Sequence, residues 1–317
     1  TSVLAGGSIP MPTLLSGVLP LVLGSPVLLR ETSQDPVTGS LLARSIADRD
    51  ESLARCLEVV RFPVEDASAM EVFLESPCVV ATGSDQTIAA LRSHLAPGQR
   101  FVAYGHRFSI GVLGPNAARD EANLDRTAAG LALDLARWDQ AGCLSPVVVY
   151  LVGLAAPMRV QIAKRIADSL ESLSLSRPRG DVSASTLASH AAERAEARMR
   201  AAVDEEASLF EGSDFAVVLE ADARPRPAPL ARFLRLLPVS SLEELDRALS
   251  PFSAHLSNAA VAGFDSIELA TLHEQLTQLG VNRITKPGFL QTPPIDWPHD
   301  GMPLFLPMAR FAQRDRP

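Results

Sequence analysis

The sequence predicts an α/β protein built on parallel sheets, and three observations predict it. Short apolar runs alternate with amphipathic segments along the 317 residues, the pattern of repeated βαβ units. The runs are rich in Val and Leu and bounded by Gly, Pro, Ser or Asp, as strands buried on both faces are. The length allows about two domains at roughly 150 residues each, and no internal repeat competes with that division.

Taken in order, Val27–Arg30, Leu57–Phe62, Cys78–Thr82 and Phe101–Tyr104 read as buried strands, and Pro36–Cys56 and Ser84–Leu95 between them carry apolar residues at helical spacing. Then come a helix over Glu121–Trp138, a strand over Val147–Leu151 and a helix over Ala156–Leu173. The Ser, Pro and Gly of Ser174–Ser185 predict a surface loop, followed by a charged helix over Ala188–Ala207. Phe215–Leu219 and Phe233–Leu237 read as strands joined by the connector RPRPAP, and Leu242–Leu249 and Ile267–Leu279 as helices. The tail GFLQTPPIDWPHDGMPLF holds too much proline for regular structure.

Composition excludes several function classes. Apolar residues make up 47% and charged residues 21%, with a net charge of −8, so no basic face for a nucleic acid is expected. The apolar stretch Met11–Leu29 is broken by Pro12, Pro20, Gly24 and Pro26, which argues against a membrane span, and it lacks the basic flank of a signal peptide. Cys56, Cys78 and Cys143 are an odd number at wide spacing, with neither a metal-ligand pattern nor a disulfide framework. A reducing cytoplasm is the expected compartment, and no metal is expected.

Four segments carry candidate chemistry. Ala5-Gly6-Gly7-Ser8-Ile9-Pro10 is a glycine turn before an apolar helix, either an ordinary turn or a place of close backbone approach to a ligand. VLLRETSQDP is a strand ending in Arg30, Thr32 and Ser33; Arg30 is either a solvated strand end or a phosphate contact. Thr82-Gly83-Ser84 follows a strand and starts a helix, where Ser84 suits an N-cap and the helix N-terminus suits an anion. AYGHRFS and WDQAGCLSP make the fourth: Cys143 stands between a helix and an apolar run and is either a small buried hydrophobe or a nucleophile. His106 reads equally as an acid–base group or as a buried structural histidine.

In this order the segments resemble the aldehyde dehydrogenase superfamily, most closely its fatty acyl-CoA reductase (LuxC-like) branch, over nearly the whole chain. WPHDG at Trp297–Gly301 resembles the C-terminal signature of the family. The resemblance implies a Rossmann-type parallel-sheet nucleotide-binding part over 1–104, an α/β catalytic part over 105–290, and a tail over 291–317 that closes the cleft. It implies that Cys143 forms a thioester with an acyl group taken from acyl-CoA or another acyl thioester, and that NADPH reduces this thioester to the aldehyde. Arg30, Thr32 and Ser33 are implied at the adenosine ribose, and Thr82, Gly83 and Ser84 at the pyrophosphate. Where NAD-preferring members carry a glutamate on the 2′-hydroxyl, this chain has Ser33, and Arg30 with two hydroxyls suits a 2′-phosphate. Ser8 stands where the family has an oxyanion-binding asparagine. No Asp or Glu occurs from Phe101 to Arg119, so the general base of the hydrolytic relatives is missing. The chain starts at Thr1, partway into what the resemblance implies for the nucleotide-binding half, and leading elements of the family are expected to be absent. Two other readings stay open: a non-catalytic or truncated binding subunit, and an acyl transferase using the same cysteine. A homo-oligomer or an acyl-donor protein partner is equally compatible with the sequence.

Overall fold

Val3 and Leu4, flanked by a buried serine, form the first strand of a computed structural model that describes residues 1–7 and 9–313. Its chain divides into two compact units, Thr1–His106 together with the segment from Ile295 onward, and Arg107–Pro294.

In the first unit the order is β1 (Ser2–Leu4), α1 (Pro10–Val22), β2 (Val27–Arg30), α2 (Thr38–Ala47), α3 (Glu51–Ala54), β3 (Leu57–Val60), α4 (Ala67–Leu74), β4 (Cys78–Thr82), α5 (Asp85–His94) and β5 (Arg100–Tyr104). The five strands are all parallel in the order β3-β2-β1-β4-β5. Alternate residues face opposite sides. Val3, Leu29, Val80 and Val102 pack with Leu19, Leu21 and Met308 on one face, while Leu4, Val79 and Ala81 pack with Phe73, Leu74 and Leu91 on the other. The single helical stretch expected over 36–56 is two helices, because Asp50 accepts from the Leu53 N–H and starts α3 afresh. Helix α4, which the sequence reading leaves out, starts on the same kind of cap, with Asp66 accepting from the Ala69 N–H.

The second unit contains β6 (Phe108–Leu113), α6 (Glu121–Ala136), β7 (Pro146–Val152), α7 (Ala156–Ser176), α8 (Ala184–Val203), β8 (Ser208–Glu211), β9 (Ala216–Leu219), β10 (Phe233–Val239), α9 (Leu242–Leu249), β11 (Leu256–Ala262), α10 (Ser266–Gln278) and β12 (Arg283–Thr285). Its seven strands run β12-β11-β6-β7-β10-β9-β8, parallel except for the edge strand β8. Val149 and Leu151 of β7 meet Leu131 and Leu135 of α6 and Ile162 and Ile166 of α7. Tyr150 and Val152 face the other way, toward Leu245 of α9 and Leu272 of α10. The charged helix starts four residues earlier than expected, at Ala184, because the Ser183 hydroxyl accepts from the Thr186 N–H. Among the described residues no helix is long and apolar enough to cross a membrane, and no cluster of three metal-ligating side chains occurs.

Candidate functional site

Parallel pairing puts the carboxyl ends of β1, β2, β4 and β5 on one edge of the first sheet. The strand order reverses between β1 and β4, the position where open α/β sheets take ligands. Backbone closeness at this point is severe: a Cβ on Gly6 would lie 2.1 Å from the Thr82 carbonyl oxygen. Glycine is therefore required, and it brings the turn after β1 against Thr82 and Gly83. Gly7 has φ +84°, and open space surrounds its Cβ position. Ser8 lies outside the described residues. Ser84 caps α5, its hydroxyl accepting from the Thr87 N–H at 3.1 Å, and Gly83 N–H donates to the Tyr104 carbonyl.

At the end of β2, the Arg30 guanidinium donates from Nε and Nη2 to the Phe62 carbonyl, at 3.0 and 2.7 Å, and lies over the Phe62 ring. Burial lowers its pKa, opposed by Glu65. Thr32 Oγ1 accepts from the Gln34 and Asp35 N–H groups and folds the turn that leaves Ser33 exposed. Sequence reasoning missed Glu31. Its carboxylate is buried, accepting from Ser40 N–H at 2.6 Å and from Arg61 Nε at 2.7 Å. The Arg61 side chain, at the end of β3, remains 60% exposed. An acidic residue directly after a basic strand end was the available signal.

His106 is exposed, and its backbone N–H donates to Asp85 Oδ1 at 2.8 Å, at the start of α5. Beside it Tyr104 stacks on His299, with centroids 4.3 Å apart and planes 15° apart, and Trp297 leans on the same imidazole. Burial, with a smaller effect of Asp300, pushes the Tyr104 hydroxyl up to about 12. Burial lowers the His299 pKa against an opposing effect of Asp300. The WPHDG segment thus belongs to the same unit as the strand edge and packs on the last strand of its sheet.

Cys143 belongs to the second unit, in the loop between α6 and β7, and is half-buried. The other cysteines stand in plainer places: Cys78 is buried inside β4, and Cys56 Sγ contacts the Ser52 carbonyl at 3.8 Å. Buried groups hold the Cys143 loop from several sides. Ser109 Oγ of β6 donates to the Cys143 carbonyl at 2.7 Å. Ser145 N–H donates to the Gly142 carbonyl, and Ser145 Oγ takes a bond from Gln291 Nε2 at 2.6 Å and donates to the Asp134 carbonyl. The fully buried Asp134 carboxyl accepts from the Gly288 and Leu290 N–H groups at 2.6 and 3.1 Å. Burial raises its pKa to about 6 against those donors. The helix before the cysteine is thereby joined to the GFLQ segment. The first unit carries Arg30, Thr32, Ser33, Thr82, Gly83, Ser84 and His106 at or just past the carboxyl ends of its strands β2, β4 and β5, and Cys143 is held by its own unit.

A family model described as "Acyl-CoA reductase (LuxC)" matches residues 2–311. The long-chain acyl-protein thioester reductase of Aliivibrio fischeri is 21% identical over 326 residues, covering 99% of this chain and 63% of that protein. The chain thus spans somewhat under two thirds of that relative's length. Among solved structures, the indole-3-acetaldehyde dehydrogenase of P. syringae in complex with NAD+ and IAA superposes with a TM-score of 0.72 at 14% identity, over 94% of this chain and 62% of that one. The glyceraldehyde-3-phosphate dehydrogenase of Methanocaldococcus jannaschii complexed with NADP gives 0.69 at 11% identity, over 94% and 66%. The fold is therefore that of the aldehyde dehydrogenases, and the match across nearly every residue means that the chain belongs to the acyl-CoA reductase (LuxC) family.

Proposed function

We propose that this chain reduces a long-chain acyl thioester to the aldehyde, with NADPH as reductant and an acyl-enzyme on Cys143. The observation that carries the reading is the Cys143 loop: a half-buried thiol at an element boundary, with the Cys143 carbonyl held by Ser109 of β6 and the Ser145 hydroxyl tied to α6 and to Gln291. The printed name of the A. fischeri relative supports an acyl-protein thioester as donor, and the family description supports an acyl-CoA.

The Cys143 thiolate attacks the thioester carbonyl and expels the donor thiol, leaving the acyl group on sulfur. The Cys143 N–H is assigned to the oxyanion. NADPH, when bound, supplies the hydride that makes the thiohemiacetal from which aldehyde leaves and the thiol is restored. The strand edge of the first unit fits a dinucleotide: the glycine turn after β1 offers close backbone approach, and the Ser84-capped start of α5 offers N–H groups to a pyrophosphate. Exposed Ser33 and the exposed guanidinium of Arg61 join Arg30 and Thr32 as groups for a 2′-phosphate. His106 is assigned to proton transfer.

Mass spectrometry of the protein mixed with a long-chain acyl-CoA, with and without NADPH, tests this reading. An adduct on Cys143 that NADPH discharges as aldehyde is the expected result. No adduct would make the chain a binding subunit, and an adduct indifferent to NADPH would make it a transferase.

A further inference from the structure

Three consecutive non-glycine residues before the nucleophile loop, Trp138, Asp139 and Gln140, adopt left-handed backbone with φ of 56°, 47° and 62°. A second run, Leu230, Ala231 and Arg232, does the same at 61°, 51° and 67°. Left-handed backbone is unfavourable for residues with a Cβ, and such conformations persist only where their surroundings hold them. Here the two runs hold each other. Arg232 Nε donates to Asp139 Oδ1 at 2.6 Å, and the other Asp139 oxygen accepts from Gly180 N–H at 2.9 Å. Arg232 is fixed in turn by Asp214 at 3.0 Å and by the Arg177 carbonyl at 2.8 Å.

The Gln140 side chain, 2% exposed, closes the arrangement. Its Nε2 donates to the carbonyls of Pro146 at 2.9 Å and Phe233 at 3.0 Å, and its Oε1 accepts from Phe233 N–H at 2.7 Å. Pro146 is the first residue of β7 and Phe233 the first of β10, and these strands are neighbours in the sheet. One amide therefore joins both ends of the loop Ala141–Ser145 and anchors them to the sheet. Cys143 is the middle residue of that loop. A side chain that merely filled space would not need three directed bonds, nor a strained backbone to aim them.

We propose that Gln140 is a positioning residue for Cys143: through its three amide bonds, and backed by the Asp139–Arg232 pair, it fixes the nucleophile loop in the geometry for attack on the acyl donor. The proposal rests on the reading of Cys143 as nucleophile. Loss of the clamp releases both ends of the loop, and a displacement of about 1 Å in a reacting group costs on the order of a hundredfold in rate.

The test uses the full chain as wild type, Gln140→Ala and Asp139→Asn, the last keeping the shape of the side chain in case the first does not fold. Two quantities are measured: the single-turnover rate of Cys143 acylation against palmitoyl-CoA concentration, and the pH profile of Cys143 alkylation by iodoacetamide, read by peptide mass spectrometry. Gln140→Ala is expected to lower the maximal acylation rate by about ten- to a hundredfold with the half-saturating concentration unchanged, and to move the alkylation profile. Asp139→Asn is expected to act in the same direction by a few-fold. A purely structural role would lower thermal stability while leaving both Cys143 readouts as in wild type, and that result in folded Gln140→Ala or Asp139→Asn would overturn the proposal. If wild-type Cys143 accepts no acyl group, the proposed function fails by itself; an alkylation profile displaced by Gln140→Ala would still support the clamp.

Discussion

Replacing Asp134 by Asn is expected to remove a pH dependence from the stability of the unit that holds Cys143. The Asp134 carboxyl is fully buried, and burial raises its pKa from 3.8 to about 6 although the N–H groups of Gly288 and Leu290 favour the ionised form. In the unfolded chain the group returns to its ordinary value, so the folded state binds the proton more tightly. The resulting stability is fully present below the unfolded value near 3.8 and is lost as pH rises through about 6. Linkage over that interval amounts to about 3 kcal/mol in full, and to about 1.4 kcal/mol between pH 8 and pH 5. Urea denaturation at pH 5, 6.5 and 8 and constant ionic strength measures it. A Trp297→Phe background leaves Trp138 as the sole tryptophan and makes it the reporter of the second unit. Wild type is expected to gain about 1.4 kcal/mol more than Asp134→Asn on moving from pH 8 to 5. Equal gains in the two proteins would refute the assignment of a buried, proton-binding carboxyl to this position.

Cys143→Ala is expected to abolish acyl labelling and aldehyde formation while the fold remains, because Cys78 is buried in a strand and Cys56 lacks a comparable loop; adduct mapping that finds the variant still labelled would reject the nucleophile. Binding titrations are expected to favour NADPH over NADH by about ten- to a hundredfold, the worth of a charge-assisted phosphate contact of roughly 1.5–3 kcal/mol. Ser33→Glu should erase or reverse that preference, and equal affinities in wild type would remove the 2′-phosphate reading. The acyl-enzyme is expected to persist in buffer without reductant, since the chain has no carboxylate from Phe101 to Arg119 and general-base help is typically worth ~10²- to 10⁴-fold. Added free thiol should discharge it, whereas rapid release of fatty acid in buffer alone would assign a competent base to His106 or another group.

The legible parts of the fold were those whose burial is written in consecutive apolar residues. VLLR and CVVAT are such runs, and they are β2 and β4. Strand β11, LSNAAVA, lies almost wholly in the core yet carries Ser257, Asn258 and three alanines, so hydrophobicity alone did not mark it. Strand β6 hides for a related reason: Gly111 is where a Cβ would come within 2.8 Å of Val149, and close packing there selects a residue with no strand propensity. For the candidate site, WDQAGC singled out Cys143 as the proposed nucleophile because the motif is local. Its supports were invisible because they join distant positions: Gln140 meets a residue 93 positions away, and Asp134 one 156 positions away. At Arg30 the residue type was readable but its partner was not; the Phe62 carbonyl becomes available only once β2 and β3 lie side by side.

Met308 packs among Val3, Leu29, Val80 and Val102, in a sheet whose last strand ends more than two hundred residues earlier, at Tyr104. Between the two the chain passes through all of the second unit. During synthesis, every residue of that second unit leaves the ribosome before the one that fills the first core. The five parallel strands emerge before the second unit and are completed after it, so throughout translation of residues 107–294 they present to their surroundings the apolar face that Met302, Leu304 and Met308 will cover.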